Sequence, residues 1–265
     1  MRIFFSVLIG LVSLSVQAQD VRVYGPGGPA PAMKEAAALF ERKHNVAVEV
    51  TAGPTAGWKE KATSDADIVF SGSENMMSDF IAQFPDIDPE TVRPLYLRPS
   101  AILVRPGNPK GVSGVRDLGR PGLRLLVVHG AGQTGLWEDV AGRLGDINTV
   151  RSIRRNIALF AKNSGDAKAA WTEDASYDAW LIWNIWQVAN PALADTVPME
   201  PAYRIYRDTG VALTRRGLRN ANAARFTAFL ETPEAAAIFE RWGWVASAAA
   251  GAAAPKDEKQ GAKRP

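Results

Sequence analysis

The sequence of 265 residues contains no cysteine and only two histidines. The absence of cysteine excludes disulfide bonds, thiolate nucleophiles and cysteine-bound metals. His44 and His129 are far apart in the chain and do not form a metal-binding pattern. The catalytic motifs G-x-S-x-G and H-E-x-x-H are also absent. We therefore expect no catalytic residues, no metal and no cofactor, which argues against an enzyme.

The body of the chain also lacks an excess of charge of one sign. Lys and Arg number 31 and Asp and Glu 28, but Arg2 and the basic end after Gly251 account for the whole excess. No basic stripe with interleaved aromatic residues occurs, so nucleic acid is not an expected partner. Residues 246–265 are rich in alanine and then in charge, and we expect them to form a disordered tail.

The N-terminus has the pattern of an export signal. A short basic start precedes an apolar run from Ile3 to Val16, and a small-x-small cleavage pattern follows at 16–18. We expect a signal peptide over 1–18, cleaved near Ala18, and a periplasmic mature chain. The run is too short to span a bilayer comfortably, so the mature chain should have no membrane span.

Strand-like and helical patterns alternate along the chain. Each early strand ends in a turn rich in Gly, Ser, Thr or Pro, which predicts an α/β fold with a parallel sheet. Trp180, Trp183 and Trp186 recur at a spacing of three, so one helix face is an alternative to a strand that turns at Asn184 into a short helix. Strands are expected near 21–24, 46–50, 123–128, 156–161, 178–183 and 203–217, and helices near 32–44, 59–64, 136–144, 221–230 and 233–242. Residues 65–80 should form a strand, a small-residue loop and a helix, and residues 100–109 a strand that leads into a Pro/Gly break.

A glycine-rich loop follows the strand expected at 123–128. Residues 130–135 read GAGQTG, which matches the dinucleotide-binding pattern G-x-G-x-x-G. However, the motif lies far from the first strand, and no acidic residue follows at the distance that a ribose would need. Backbone N–H groups and the side chains of Gln133 and Thr134 could instead bind an anion at the start of a helix. A tight turn kept for packing is the alternative.

Other loops that follow predicted strands are similarly small, uncharged and rich in donors. They lie at 25–29, 51–55 and 71–73, and a fifth loop at 163–165 offers Asn163 or Ser164 as a helix N-cap. Ligands of open α/β sheets bind at the carboxyl ends of the strands. These loops therefore predict a neutral, donor-rich site for an oxyanion or carboxylate, and Arg98, Arg204 or Arg207 could add a cation.

Several stretches together resemble one protein family. They are VYGPGGPAPAM, GPTAGW, DADIVFSGSENMM, VHGAGQTGLWED, DAWLIWNIWQVANP, YRIYRDTGVALT and IFERWGW, and they run from Val23 to Trp244. The chain resembles the type II periplasmic solute-binding proteins of the molybdate- and sulfate-binding group, and more closely the accessory colonization factor AcfC family.

The resemblance implies a two-lobed periplasmic-binding-protein-like type II fold with a ligand cleft between the lobes. Lobe I would comprise 20–98 plus 205–245, and lobe II 99–204. In the oxyanion-binding relatives an aromatic residue that ends a strand of lobe II contacts the ligand, a place that Trp183 takes here. Trp lacks the hydroxyl of Tyr, which favours a larger organic anion over bare molybdate. The expected ligand-binding residues are Gly27, Gly28, Thr55, Ser71, Gly72, Ser73, Gln133, Thr134, Gly135, Ser164, Trp183, Asn184 and Arg207.

The function that follows is capture of a small anion, either an oxyanion or a phosphorylated or carboxylated organic acid. The protein would capture the anion by closing its hinge and would deliver it to an ABC permease or a chemoreceptor. One alternative is a surface colonization protein, adhesin-like and dimeric, that uses the same fold as a scaffold. Another is a periplasmic enzyme, for which no nucleophile–base pair is found.

Overall fold

The structure is a computed structural model that describes residues 20–130 and 132–246. The predicted signal peptide, and the predicted tail apart from Ala246, lie outside the described residues. Within the described part of the chain, no helix is long and apolar enough to cross a membrane.

Strands and helices alternate through most of the described chain. The strands are β1 (Val21–Gly25), β2 (Val48–Ala52), β3 (Ile68–Phe70), β4 (Arg93–Val104), β5 (Leu125–Val128), β6 (Ile157–Ala161), β7 (Ala179–Trp183), β8 (Asp195–Val197) and β9 (Tyr206–Leu213). The helices are α1 (Ala30–His44), α2 (Lys59–Asp65), α3 (Glu74–Gln83), α4 (Leu136–Ala141), α5 (Ile147–Asn156), α6 (Ser164–Glu173), α7 (Ile185–Ala189), α8 (Ala221–Phe229) and α9 (Pro233–Arg241).

The strands form one path in the order β2-β1-β3-β9-β4-β7-β5-β6, with β8 on β4. Strand β1 is parallel to β2 and β3, and β5 is parallel to β6 and β7. Strands β4 and β9 are antiparallel to each other and to their outer neighbours. The expected parallel pairing is therefore limited to the two ends of the path, and long antiparallel strands join them.

The long strand β4 divides the fold into two lobes. Its first half, Arg93–Pro99, pairs with β9. Its second half, from Ser100 onward, pairs instead with β7 and β8. The chain returns beside this point, where the Ser100 amide donates to the Ile205 carbonyl at 2.8 Å. The result is the two-lobed α/β fold expected from the sequence.

Local sequence signals account for many element boundaries. The side chain of Asn163 caps α6 by accepting from the Asp166 amide at 2.9 Å, and Thr232 caps α9 in the same manner. Helix α1 ends at Asn45, which adopts the left-handed conformation that Asn tolerates. Strand β7 ends at Trp183, and α7 begins just after Asn184. Of the two alternatives for the tryptophan repeat, the strand followed by a turn is thus correct.

Other boundaries differ from the sequence-based expectations. Helix α5 was not expected, because its face carries few apolar residues. Strand β4 begins at Arg93, earlier than expected, since Pro94 and Pro99 obscure its pattern. Strand β9 covers only Tyr206–Leu213 of the expected 203–217. Helix α4 stops at Ala141, where Gly142 follows.

Gly217 illustrates how closely the lobe containing β1 is packed. A Cβ atom at Gly217 would lie 2.0 Å from the Asp67 carbonyl oxygen, which is fixed backbone. We expect Gly217→Ala to lower the free energy of unfolding by about 1–3 kcal/mol through overpacking. Gly57→Ala is the matched control, because a Cβ there meets nothing within 4 Å. Urea unfolding of both variants measures the effect, and equal stabilities would contradict the packing.

Candidate functional site

A cavity of about 140 Å³ opens where loops from both lobes meet. Its wall combines glycine-rich backbone, proline rings and small polar side chains. It is lined by Pro26, Gly27, Gly28, Pro29, Gly53, Pro54, Thr55, Gly72, Met76, Arg98, Gln133, Asn163, Ser164, Gly165 and Trp186. By volume, the cavity exceeds the roughly 10–15 Å³ that one ordered water occupies on a similar measure, so a multi-atom ligand fits.

The first turns of helices α1 and α6 reach this cavity. Gly27, Gly28 and Pro29 precede or begin α1, and Asn163, Ser164 and Gly165 form the start of α6. The amides of a helix's first turn have no partner within the helix, and they carry a partial positive charge. The two helix starts therefore favour negative charge in the space between them.

Arg98 supplies the formal charge of the cavity. It lies near the end of the part of β4 that pairs with β9, and its side chain is only 3% exposed. The Nη2 atom donates to the Gly72 carbonyl, and Nε has no partner in the described part of the chain. Among the described residues, the ion pairs found do not include Arg98. Within the described part of the chain, Arg98 is therefore a buried cation that forms no ion pair.

Burial lowers the pKa of Arg98 from its ordinary value to about 9, while the nearby Asp208 raises it and Arg207 lowers it further. A pKa of about 9 leaves the guanidinium protonated at neutral pH. Asp208 does not pair with it; instead, its Oδ1 accepts from the Glu74 amide at 3.1 Å. Desolvation and the charge of Asp208 also raise the pKa of Glu74. The positive charge of Arg98 therefore remains available to a ligand.

One wall of the cavity is apolar. Trp186 follows β7 at the start of α7, and its Nε1 lies 4.0 Å from where a Cβ on Gly28 would be. Met76 and the rings of Pro26 and Pro54 add further apolar surface. An anion with a short carbon skeleton could use both this wall and the donors opposite it.

Of the residues described in the glycine-rich loop, Gln133 lines the cavity. Gln133 is 4% exposed, its Nε2 donates to Ser164 Oγ, and its Oε1 has no partner among the described residues. Gly132, with a φ of 76°, lies against the start of α3, where an added Cβ would be 2.8 Å from Ser73 Oγ. Gly132 therefore allows close packing between this loop and the start of α3.

The predicted ligand-binding residues divide into two groups. Six of the thirteen line the cavity, namely Gly27, Gly28, Thr55, Gly72, Gln133 and Ser164. Four others lie nearby but face elsewhere. Ser71 is buried and accepts from the Gly210 amide, and Ser73 caps α3. Thr134 is exposed, and Gly135 takes a left-handed conformation before α4.

The remaining three predicted residues make contacts outside the cavity wall. Trp183 is fully buried beneath the Arg98 guanidinium. Asn184 donates from Nδ2 to the Gly243 carbonyl at 2.6 Å. Arg207 pairs with Asp139 at 2.6 Å, in a separate charged cavity. The cation near the cavity is therefore Arg98 rather than Arg207.

Sequence reasoning named Arg98 only as one of three candidate arginines, and it did not select Trp186 or Met76 as ligand-binding residues. Trp186 stands three residues after Trp183, so the tryptophan repeat pointed to the right region. The direction of each side chain depends on the turn at Asn184, which the pattern does not specify. Asn163 and Gly165, also in the wall, follow from the helix cap.

The chain matches one family model and several solved structures. Residues 21–245 match the family described as bacterial extracellular solute-binding protein. No curated protein matches significantly. PEB3 from Campylobacter jejuni is 38% identical, with 85% of this chain and 99% of that chain covered and a TM-score of 0.80. A structure of PEB3 bound to L-phospholactate has the same identity and coverage, with a TM-score of 0.81.

Two more distant structures share the fold. The sulfate-binding protein SubI from Mycobacterium tuberculosis is 16% identical, with 85% of this chain and 86% of that chain covered and a TM-score of 0.70. The periplasmic molybdate-binding protein of Azotobacter vinelandii is 17% identical, with 86% and 100% covered and a TM-score of 0.64. At these identities the likeness supports the two-lobed fold alone.

An uncompensated buried cation should make the ligand-free protein less stable than an apolar replacement. We expect Arg98→Met to raise the free energy of unfolding of the ligand-free chain by about 1–3 kcal/mol. Arg105→Met is the matched control, because Arg105 donates to the carbonyls of Tyr177, Trp171 and Asp174. That variant should lose stability by about 1–3 kcal/mol. Urea unfolding after refolding measures both, and a destabilised Arg98→Met variant would contradict the absence of a counter-ion.

Proposed function

The chain belongs to the bacterial extracellular solute-binding proteins, and from that membership we propose that it captures a small anion in the cavity at Arg98. The buried, unpaired guanidinium is the observation that carries the proposal. A buried cation attracts an anion more strongly than an exposed one does, because the dielectric constant inside the site is low. The starts of α1 and α6 add neutral donors around the same space.

We propose that the two lobes comprise 20–98 plus 205–245 and 99–204, as the resemblance implies. The change of partners along β4 between Pro99 and Ser100, and the nearby return at Ile205, support these boundaries. Both chain crossings would then lie side by side, so that one lobe can rotate on the other. The proposed ligand would be enclosed when the lobes close.

The favoured ligand is an organic acid that carries a phosphate or a carboxylate. Trp186, Met76 and the prolines give the cavity an apolar side that a bare oxyanion would leave unused. PEB3, a relative at 38% identity, has been crystallised with L-phospholactate, an anion of this kind. Sulfate and molybdate, the ligands named for the more distant structures, are the simpler alternatives.

The setting of this function is also a proposal. We place the mature protein in the periplasm after removal of residues 1–18, where it would pass its ligand to an ABC permease or a chemoreceptor. Membership of the AcfC family and assembly as a homodimer remain proposals from the resemblance. A role as an enzyme is not favoured, because the family consists of binding proteins.

The experiment is a thermal-shift screen of the chain from Gln19 onward, unfolded and refolded to remove carried-over ligand. The probes are L-phospholactate, inorganic phosphate, sulfate, molybdate and citrate. A probe at a hundred times its Kd should stabilise the protein by about 2.7 kcal/mol. That is a rise in Tm of roughly 5–10 °C for a chain of this size.

The variant Arg98→Met should weaken binding of the probe at least about a hundredfold, because a buried charge partner is lost. Calorimetric titration measures this, and the variant's unfolding curve serves as its folding control. A flat screen with well-folded wild-type protein would overturn the proposal and favour the adhesin-like alternative. Binding that survives in Arg98→Met would locate the anion elsewhere.

Gly28 offers a second test that leaves the charge in place. An added Cβ would lie 3.1 Å from Arg98 Nη1 and 3.4 Å from Ile185 Cδ1, so Gly28→Ala narrows the cavity beside the cation. We expect it to weaken probe binding about tenfold or more, at a small cost in stability. Gly57→Ala, which adds a methyl group in open space, should bind as the wild type does. Equal titration curves for the two variants would argue against a ligand beside Gly28.

A further inference from the structure

The Arg98 guanidinium lies between two buried tryptophans. Its Cζ is 4.7 Å from the centroid of Trp183 and 5.3 Å from that of Trp244. Trp183 is fully buried and Trp244 is 3% exposed. Trp183 ends β7, whereas Trp244 follows α9, so the two rings come from opposite sides of the partner change in β4. We name this pair the indole clamp.

Indole faces can hold a cation without cancelling its charge. A guanidinium over the face of an aromatic ring is attracted by the ring's quadrupole, most strongly when the pair is removed from water. A carboxylate at the same place would bind Arg98 more strongly, but it would also neutralise the site and compete with an incoming anion. The clamp therefore replaces part of the lost hydration of Arg98 and leaves its charge unpaired.

The backbone around Trp244 keeps this ring in place. The amide of Val245 donates to the Leu97 carbonyl at 2.7 Å, and the Leu97 amide donates back at 3.0 Å. Leu97 is the residue before Arg98, and Val245 is the residue after Trp244. The guanidinium and the Trp244 ring are therefore carried by two backbone segments that are hydrogen-bonded to each other. The Gly243 carbonyl accepts from Asn184 Nδ2 on the other lobe. The segment 243–245 is thus hydrogen-bonded both to Leu97, which precedes Arg98, and to Asn184, which follows Trp183.

We propose that Trp183 and Trp244 are positioning residues that hold the Arg98 guanidinium toward the cavity, and that they act on anion affinity through Arg98 without lining the cavity themselves. The inference rests on the proposed function, because it assigns the clamp a role in anion capture. It gives Trp183 a different part from the direct ligand contact expected from the sequence.

The first arm of the test needs no ligand. In ¹⁵N spectra of the refolded protein, the Nε–H signal of Arg98 is assigned by its loss in Arg98→Met. We expect a signal displaced upfield by ring currents and slow to exchange with water. Trp244→Phe should retain the displacement, and Trp244→Leu should lose a large part of it. An undisplaced wild-type signal, or one unchanged in Trp244→Leu, would overturn the clamp.

The second arm measures affinity for L-phospholactate by calorimetric titration. Trp244→Leu should weaken binding about tenfold, and Trp244→Phe should restore it to within roughly threefold of wild type. Trp171→Leu is the matched control: this buried tryptophan packs on Arg105, away from the cavity, and its loss should lower Tm without changing the Kd. A Trp244→Leu protein that loses only stability, as the control does, would refute the positioning role.

The two arms separate failure of the clamp from failure of the proposed function. If none of L-phospholactate, phosphate, sulfate, molybdate and citrate binds wild-type protein while the Arg98 signal is displaced upfield, anion capture is overturned, and with it the positioning role. If L-phospholactate binds and the signal is not displaced, anion capture stands and the clamp is wrong.

Discussion

A positive charge buried without a counter-ion is the constraint around which this molecule is arranged. Arg98 is taken out of water near the junction of the two lobes, where no described residue forms an ion pair with it, although the nearby Asp208 stabilises its charge. The fold compensates only in part, through the Gly72 carbonyl and two indole faces. Under the proposed function, the stability that this burial costs the ligand-free protein would be recovered when an anion binds, so folding stability and ligand affinity would both depend on the same charge.

The groups around Arg98 do not neutralise its positive charge. Asp208, the nearby acid, has one oxygen engaged by the Glu74 amide at the start of α3. The other groups at the cavity are neutral: glycine backbone, small hydroxyl and amide side chains, and the first turns of α1 and α6. Fixed dipoles of this kind can stabilise an anion without adding a second formal positive charge to the site. A single guanidinium together with many dipoles suits a small ligand that must also be released.

The sequence predicted the scaffold of the site better than its chemistry. Caps and turns are local, so the strand before Asn184, the cap at Asn163 and the small-residue loops could be read directly from the chain. The choice between Arg98 and Arg207 could not, because these residues are register partners on β4 and β9. They differ in the side chains that surround them, which are Trp183 and Trp244 in one case and Asp139 in the other. Such differences arise from tertiary packing, and a pattern of residue types does not contain them.

The contact at Gly132 has a consequence for how such a protein can change over generations. The two lobes are in close contact where this residue has no side chain, beside Ser73 and Met76 at the start of α3. A larger residue there would act as a spacer and set a wider resting angle between the lobes. Affinity could then drift up or down without alteration of any group that touches the solute. Ligand affinity could then change without a change in ligand specificity, so that one site can serve habitats in which the ligand is scarce or abundant.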